Sequence, residues 1–175
     1  MREPIFTGIN HICIVTNDLD RTVRVWADRY NVGPWSVHTF EPSRVSATVD
    51  GAPGAFGIRV GYCDFGPGTR IELIEPLDAL SPYARSLAEH AGADHLHHLR
   101  LEVSNYGSAL KQLTDLGLRE SLSATFSGLD PSAAPATAKY LDTAAELGFT
   151  VEIADLPRAF EAPQPDYVYP PASVA

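Results

Sequence analysis

An internal repeat constrains this chain more than any other feature. Gly68-Thr69-Arg70-Ile71-Glu72-Leu73-Ile74 is echoed by Gly148-Phe149-Thr150-Val151-Glu152-Ile153-Ala154. Each stretch runs from Gly through two residues to a β-branched aliphatic, then Glu, then apolar residues. His11-Ile12-Cys13-Ile14 is likewise echoed by His98-Leu99-Arg100-Leu101. The His-to-Glu separations are 61 and 54 residues. Either pair alone is weak, because aliphatic-Glu-aliphatic is common on half-exposed strands. Both pairs in the same order at similar spacing describe two copies of one unit, each opening on His and closing on Glu.

The local patterns agree with two copies. Residues 9–16 alternate as a strand. Asn17 or Asp18 caps a helix whose apolar positions Leu19, Val23, Trp26 and Tyr30 share a face. Strands follow over 35–40, 44–49, 57–62 and 70–74, separated by Pro/Gly turns. In the connector, Ser81 caps a short helix with Pro82 at its first position and Gly92 at its stop. The second copy repeats the order. It has a strand over 98–103, a helix capped by Asn105 and closed by Gly117, then strands over 118–126, 137–141 and 149–153. The expected class is α+β, with two βαβββ modules forming an open, cup-shaped mixed sheet. The modules are residues 7–77 and 95–156. The connector is 78–94. Residues 157–175 form a Pro-rich tail, for which disorder is the default expectation and wrapping the alternative.

Strand alternation places the repeated residues. Ile12, Ile14 and Thr16 oppose His11, Cys13 and Val15, and Leu99, Leu101 and Val103 oppose His98, Arg100 and Glu102. The more apolar face packs on the following helix, so His11 and His98 turn to the concave side. His97 falls on the helix side by the same count. Glu72 and Glu152 oppose Ile71/Leu73 and Val151/Ile153, and so also face the cup. Two imidazoles and two carboxylates converging in a semi-enclosed space need a partner, because buried carboxylates are costly alone. A divalent cation supplies one. Two nitrogen and two oxygen ligands suit a first-row metal (Co, Ni, Zn, Mn or Fe) better than Ca2+, and the lack of thiolate disfavours a closed structural zinc site. A single strand His or Glu would read as an ordinary core or solvated group. The matched quartet His11, Glu72, His98 and Glu152 reads as a metal centre.

Composition narrows the partners. Thirteen basic against 22 acidic residues give a formal charge of −9, which disfavours nucleic acid. No apolar run approaches the ~20 residues of a membrane span. The opening Met1-Arg2-Glu3-Pro4 lacks a signal-peptide core, so a cytoplasmic location is expected. Cys13 and Cys63 form no CxxC pair and read as buried small residues.

At these residues the sequence resembles the vicinal oxygen chelate superfamily of glyoxalase I, methylmalonyl-CoA epimerase, extradiol dioxygenases and bleomycin-resistance proteins. It is most similar to the epimerase-like branch. The stretches that carry this are Ile9-Asn10-His11-Ile12-Cys13-Ile14, Arg70-Ile71-Glu72-Leu73-Ile74-Glu75-Pro76-Leu77, His97-His98-Leu99-Arg100-Leu101-Glu102-Val103, Val151-Glu152-Ile153 and Ser81-Pro82-Tyr83. The resemblance covers about residues 7–156 and implies paired modules around a metal held by His11, Glu72, His98 and Glu152. The chain departs from the epimerases in its approach to the last Glu strand, Lys139 to Gly148, and in its tail.

The chemistry expected of such a site is removal of a proton α to a chelated carbonyl, followed by epimerisation, isomerisation or elimination. Glu152 is the first choice of base and Glu72 the second. Arg70 and Arg100 share the cup face and suit a substrate carboxylate or phosphate, or else pair with a nearby acid such as Glu102. Tyr140 is a candidate proton donor or a packing aromatic. Trp35, Phe40, Phe56 and Phe126 either line a pocket or fill the core. The competing readings are an Fe(II) extradiol-type dioxygenase and a metal-free small-molecule binding or resistance protein. The expected partner is a small carbonyl or oxygen-chelating substrate, and an isologous homodimer is the default assembly.

Overall fold

The computed structural model describes residues 3–130 and 132–171, so Met1, Arg2, Pro131 and the last four residues of the tail lie outside the description. In chain order its first half contains β1 (Phe6–Val15), α1 (Leu19–Arg24), β2 (Trp35–Phe40), β3 (Val45–Val49), β4 (Ala52–Gly54), β5 (Ile58–Asp64) and β6 (Arg70–Pro76). A connector helix, α2 (Pro82–Glu89), leads to β7 (His95–Val103), α3 (Tyr106–Asp115), β8 (Glu120–Phe126), β9 (Ala136–Leu141), α4 (Ala144–Leu147), β10 (Thr150–Asp155) and β11 (Tyr167–Tyr169). α1, α2 and α3 start where short polar side chains offer an acceptor to free backbone N–H groups. Asp18 accepts from Arg21 N at 2.9 Å, Ser81 from Ala84 N at 3.2 Å, and Asn105 from Ser108 N at 2.8 Å. After Arg24 the first helix widens into a π turn over Val25–Arg29, which leaves Tyr30 mostly exposed rather than on the buried stripe.

All strands join one sheet of order β11-β2-β5-β6-β1-β7-β10-β9-β8-β3-β4. β1 and β7 lie antiparallel at its centre, each flanked by the parallel closing strand of its own repeat, β6 or β10. The two halves, β1-β6-β5-β2 and β7-β10-β9-β8, therefore match strand for strand. The sheet is strongly curled, because Phe40 of β2 and Phe126 of β8 meet at 5.5 Å although seven steps separate their strands in the sheet order. This curl explains where the hairpin β3–β4 goes. The turn from β2 to β3 is only four residues long, so the chain steps across the gap and β3 pairs with β8 of the second half.

The convex side is covered by helices. Leu19 and Val23 of α1 pack on Trp35, Val37 and Leu73, and Leu113 of α3 packs on Leu141, Val151 and Ile153. Fully buried leucines such as Leu19 contribute about 2 kcal/mol each. On the concave side α2 plugs one end of the cup with Tyr83 and Leu87 against Phe56, Cys13 and Ile74. Among the described residues no helix is long and apolar enough to cross a membrane.

Over the described residues 157–171 the tail crosses the mouth of the cup. The Glu161 carbonyl accepts from Leu129 N at 2.9 Å, Asp166 N donates to Val37 O at 2.7 Å, and β11 pairs with β2. Tyr167 donates to Asp20, and Tyr169 donates to Asp28 at 3.0 Å. These contacts hold a proline-rich segment that has little core of its own, so wrapping, not disorder, describes it.

Candidate metal centre

The centre is built on the seam between the two repeats, where the β1–β7 ladder is irregular. Asn10 is an extra residue between the pairs Ile9–Leu101 and His11–Arg100, and His97 is an extra residue between Ile14–Leu96 and Cys13–His98. Each repeated histidine is thus preceded by a bulge, which re-aims the side chain that follows it. Asn10 uses its amide to donate to Glu102 at 2.6 Å, so Glu102 is engaged at the seam. The bulge corrects the placement of His97. Simple alternation sends it to the helix side, but its Nδ1 lies 2.9 Å from His98 Nδ1 and its ring 5.1 Å from Tyr83.

His11, Glu72, His98 and Glu152 come together and are all buried. His11 Nε2 is 3.1 Å from His98 Nε2, 3.0 Å from Glu152 Oε2 and 3.3 Å from Glu72 Oε2. His98 Nε2 is 2.9 Å from Glu152 Oε2 and 3.3 Å from Glu72 Oε2. Glu72 Oε2 has no well-directed hydrogen bond among the described residues. Two imidazole nitrogens aimed at each other, with a carboxylate oxygen left unsatisfied, make a poor hydrogen-bond network. The spacings are those of neighbouring ligands that each sit about 2 Å from one ion. The donor set therefore fits a divalent first-row metal.

Without an ion, protons take its place. Burial works against charge at His98, but the adjacent Glu152 and Glu72 carboxylates raise its pKa from 6.5 to about 9. Burial likewise opposes ionisation of Glu72, yet the His11 and His98 charges hold it down at about 2, and they lower Glu152 further. Burial and the neighbouring His98 and His95 charges push His97 down to about 3, so it stays neutral. A neutral His97 can accept from His98 Nδ1–H, which fixes the tautomer that leaves His98 Nε2 free as a ligand.

His98 is buried behind His11, Glu72 and Glu152, which line a cavity of about 580 Å3, a size typical of small-molecule sites. Arg100 lines it and has no hydrogen-bonding or ion-pair partner among the described residues. Arg70 also reaches it, but its Nε is held at 2.9 Å by Asp64 at the exposed rim. Tyr140 is buried, with its ring 4.9 Å from that of His98 and its hydroxyl accepting from Tyr83 at 2.9 Å. It therefore braces His98 as well as lining the cavity. Phe40 and Phe126 are cavity walls, whereas Trp35 packs under α1 and Phe56 in the plug. The sequence alone did not single out His38, Tyr62, Leu156 or the tail residues Phe160 and Val168, all of which line the cavity. The alternation Ser36, His38, Phe40 on β2 was the available signal for His38.

The sequence profile of the Glyoxalase/Bleomycin resistance protein/Dioxygenase superfamily matches residues 10–131. No curated protein matches the chain at a significant level. Among solved structures, methylmalonyl-CoA epimerase from Mycobacterium tuberculosis is similar with 21% identity over 93% of each chain and a TM-score of 0.61. The Streptomyces coelicolor methylmalonyl-CoA epimerase in complex with 2-nitronate-propionyl-CoA is 18% identical, with 85% of this chain and 96% of that one covered and a TM-score of 0.59. A hypothetical protein from Bacillus halodurans is 17% identical, with 87% and 96% covered and a TM-score of 0.62. At these identities the structural likeness is one of fold, the curled sheet with helices on its convex face. With the profile spanning most of the chain, and with its two repeats closing around His11, Glu72, His98 and Glu152, the protein belongs to the Glyoxalase/Bleomycin resistance protein/Dioxygenase superfamily.

Proposed function

We propose that the protein is a metal-dependent isomerase or epimerase that moves a proton at the carbon α to a substrate carbonyl. The observation that carries this reading is the convergence of two Nε2 and two Oε2 atoms, 2.9–3.3 Å apart across each His–Glu pair, at the floor of an open cavity. A divalent ion held by His11, Glu72, His98 and Glu152 would act as a Lewis acid, stabilising the enolate charge that develops when the α proton leaves.

The remaining work belongs to the chain. Glu72 and Glu152 lie on β6 and β10, which flank the β1–β7 seam from opposite sides. A carboxylate on each side suits transfer of a proton off one face of a carbon and onto the other. Glu152 is assigned the removal and Glu72 the return. The contacts of Glu72 to both histidines are longer, at 3.3 Å, so it is the more easily released of the two. His97, Tyr140 and Tyr83 hold the ligand His98 in place. Phe40 and Phe126 meet across the cup and give the cavity an apolar wall, which strengthens the electrostatic terms beside it.

The test is solvent exchange. The metal-loaded protein is incubated in D2O with 2-oxobutanoate and, separately, with methylmalonyl-CoA, and deuterium at the α carbon is read by mass spectrometry. Incorporation into one of them that is lost in Glu152→Gln supports the assignment. Full exchange retained by both Glu152→Gln and Glu72→Gln overturns it.

A further inference from the structure

The two repeats place equivalent residues in equivalent rows of the sheet, and they diverge two residues after each histidine. In the ladders Cys13 stands between His98 and Glu72, and Arg100 stands between His11 and Glu152. Directly opposed residues on neighbouring strands share a face, with Cβ atoms about 5 Å apart. Each position is therefore a corner of the metal quartet, beside one histidine and one carboxylate.

Only one corner is filled by the protein. Cys13 is fully buried in the cluster that Tyr83 and Leu87 of the plug helix α2 complete. Arg100 is half-buried and lines the cavity. The connector supplies one plug helix to two similar halves, so of the two corners only that of Arg100 is open to a ligand.

Charge points to the same corner. Glu72 and Glu152 are balanced by a divalent ion, and Arg70 is held by Asp64 at 2.9 Å. Glu102, two residues beyond Arg100, is exposed and engaged by Asn10 at 2.6 Å. Arg100 has no hydrogen-bonding or ion-pair partner among the described residues, so the loaded cavity carries one uncompensated positive charge. A guanidinium presents a planar fork of N–H donors that matches a carboxylate. Phe40 and Phe126, with Phe160 and Val168 of the strap that the tail forms, make much of the remaining wall apolar, and it holds no second free cation among the described residues.

Resting on the reading of the site as a metal-dependent carbonyl centre, we propose that the substrate is a monoanionic carbonyl compound whose free carboxylate lies on, or one carbon from, the carbonyl carbon, and that Arg100 holds this carboxylate at the open corner between His11 and Glu152. Arg100 is thus the residue that sets specificity for an acid. It places the bound acid beside Glu152, the carboxylate assigned to proton removal, and away from the corner that α2 fills.

Oxamate and oxamide test this by calorimetry on the Co2+-loaded full chain. Both present a chelating carbonyl, they differ by one charge, and neither has an α proton, so only binding is read. Oxamate should bind the more tightly, and Arg100→Gln should cut its advantage over oxamide about 10- to 100-fold. Arg100→Lys keeps the charge without the fork and should retain part of the advantage. Asp64→Asn combined with Arg70→Gln removes a neutral pair from the rim and should leave the advantage in place, which separates a local contact from the general field of the cavity. Cobalt content and thermal unfolding of each variant are measured alongside. An advantage that is absent, that is unchanged in Arg100→Gln, or that is lost equally in the rim double variant overturns the proposal. Protein that takes up no cobalt overturns the proposed function and this proposal together, whereas cobalt-replete protein with an advantage independent of Arg100 overturns this proposal alone.

Discussion

Stripping the metal should make the stability of this protein fall as pH rises. In the metal-free protein His98 is protonated and paired with Glu152 and Glu72, at 2.9 and 3.3 Å, with no exposure to solvent. Its folded-state pKa is raised from 6.5 to about 9. A raised pKa contributes stability that is fully present below about pH 6.5 and is lost as pH climbs through 9. That shift corresponds to about 3 kcal/mol. The lowered pKa of Glu72 is the same ion pairing seen from the other partner and is not added to it; its own loss comes at the acid end, as pH falls through about 2. For a chain of this length 3 kcal/mol is about 6–12 °C in Tm. Thermal unfolding of chelator-treated and metal-loaded protein at pH 6.5 and 9.5 reads the effect. A bound ion requires neutral imidazoles, so the loaded form lacks this dependence, and the gap between the two should widen with pH by that amount. A gap that stays constant, or narrows, from pH 6.5 to 9.5 would mean that the four side chains are not coupled as described.

Three further outcomes follow from the same geometry. His97→Phe removes the acceptor for His98 Nδ1–H and should weaken metal binding about 10- to 100-fold, measured by competition with a chromogenic chelator, with little change in fold. Metal uptake at pH 7.5 should release about one proton per ion, which calorimetry in buffers of different ionisation enthalpy detects. Gly128→Ala places a Cβ 2.7 Å from the Glu161 carbonyl and 3.3 Å from the Phe160 ring, so it should lift the strap, cost about 1–3 kcal/mol and expose residues 157–166 to limited proteolysis.

The duplicated pattern alone determined that two similar units exist, where their strands and capped helices run, and which four side chains face a shared concavity. It could do so because alternation, capping and turn chemistry act over a few residues, and because a repeat supplies its own comparison. Other features required the folded chain. His97 joined the site through a bulge, and a bulge depends on which residue of β1 opposes β7, a pairing between segments more than eighty residues apart. The β3–β4 hairpin crossed to the other half because the curled sheet brings Phe40 and Phe126 together, a closure that no local pattern records. The tail, polar and proline-rich, contains little that orders it, and it became a roof only because β2 offered a free edge and Asp20 and Asp28 offered acceptors. Arg70 and Arg100 looked alike in sequence, and they differ in the folded protein because Asp64 stands beside one of them. Local sequence specifies backbone conformation and side-chain parity, whereas burial, partnership and charge balance depend on which distant groups arrive at the same place.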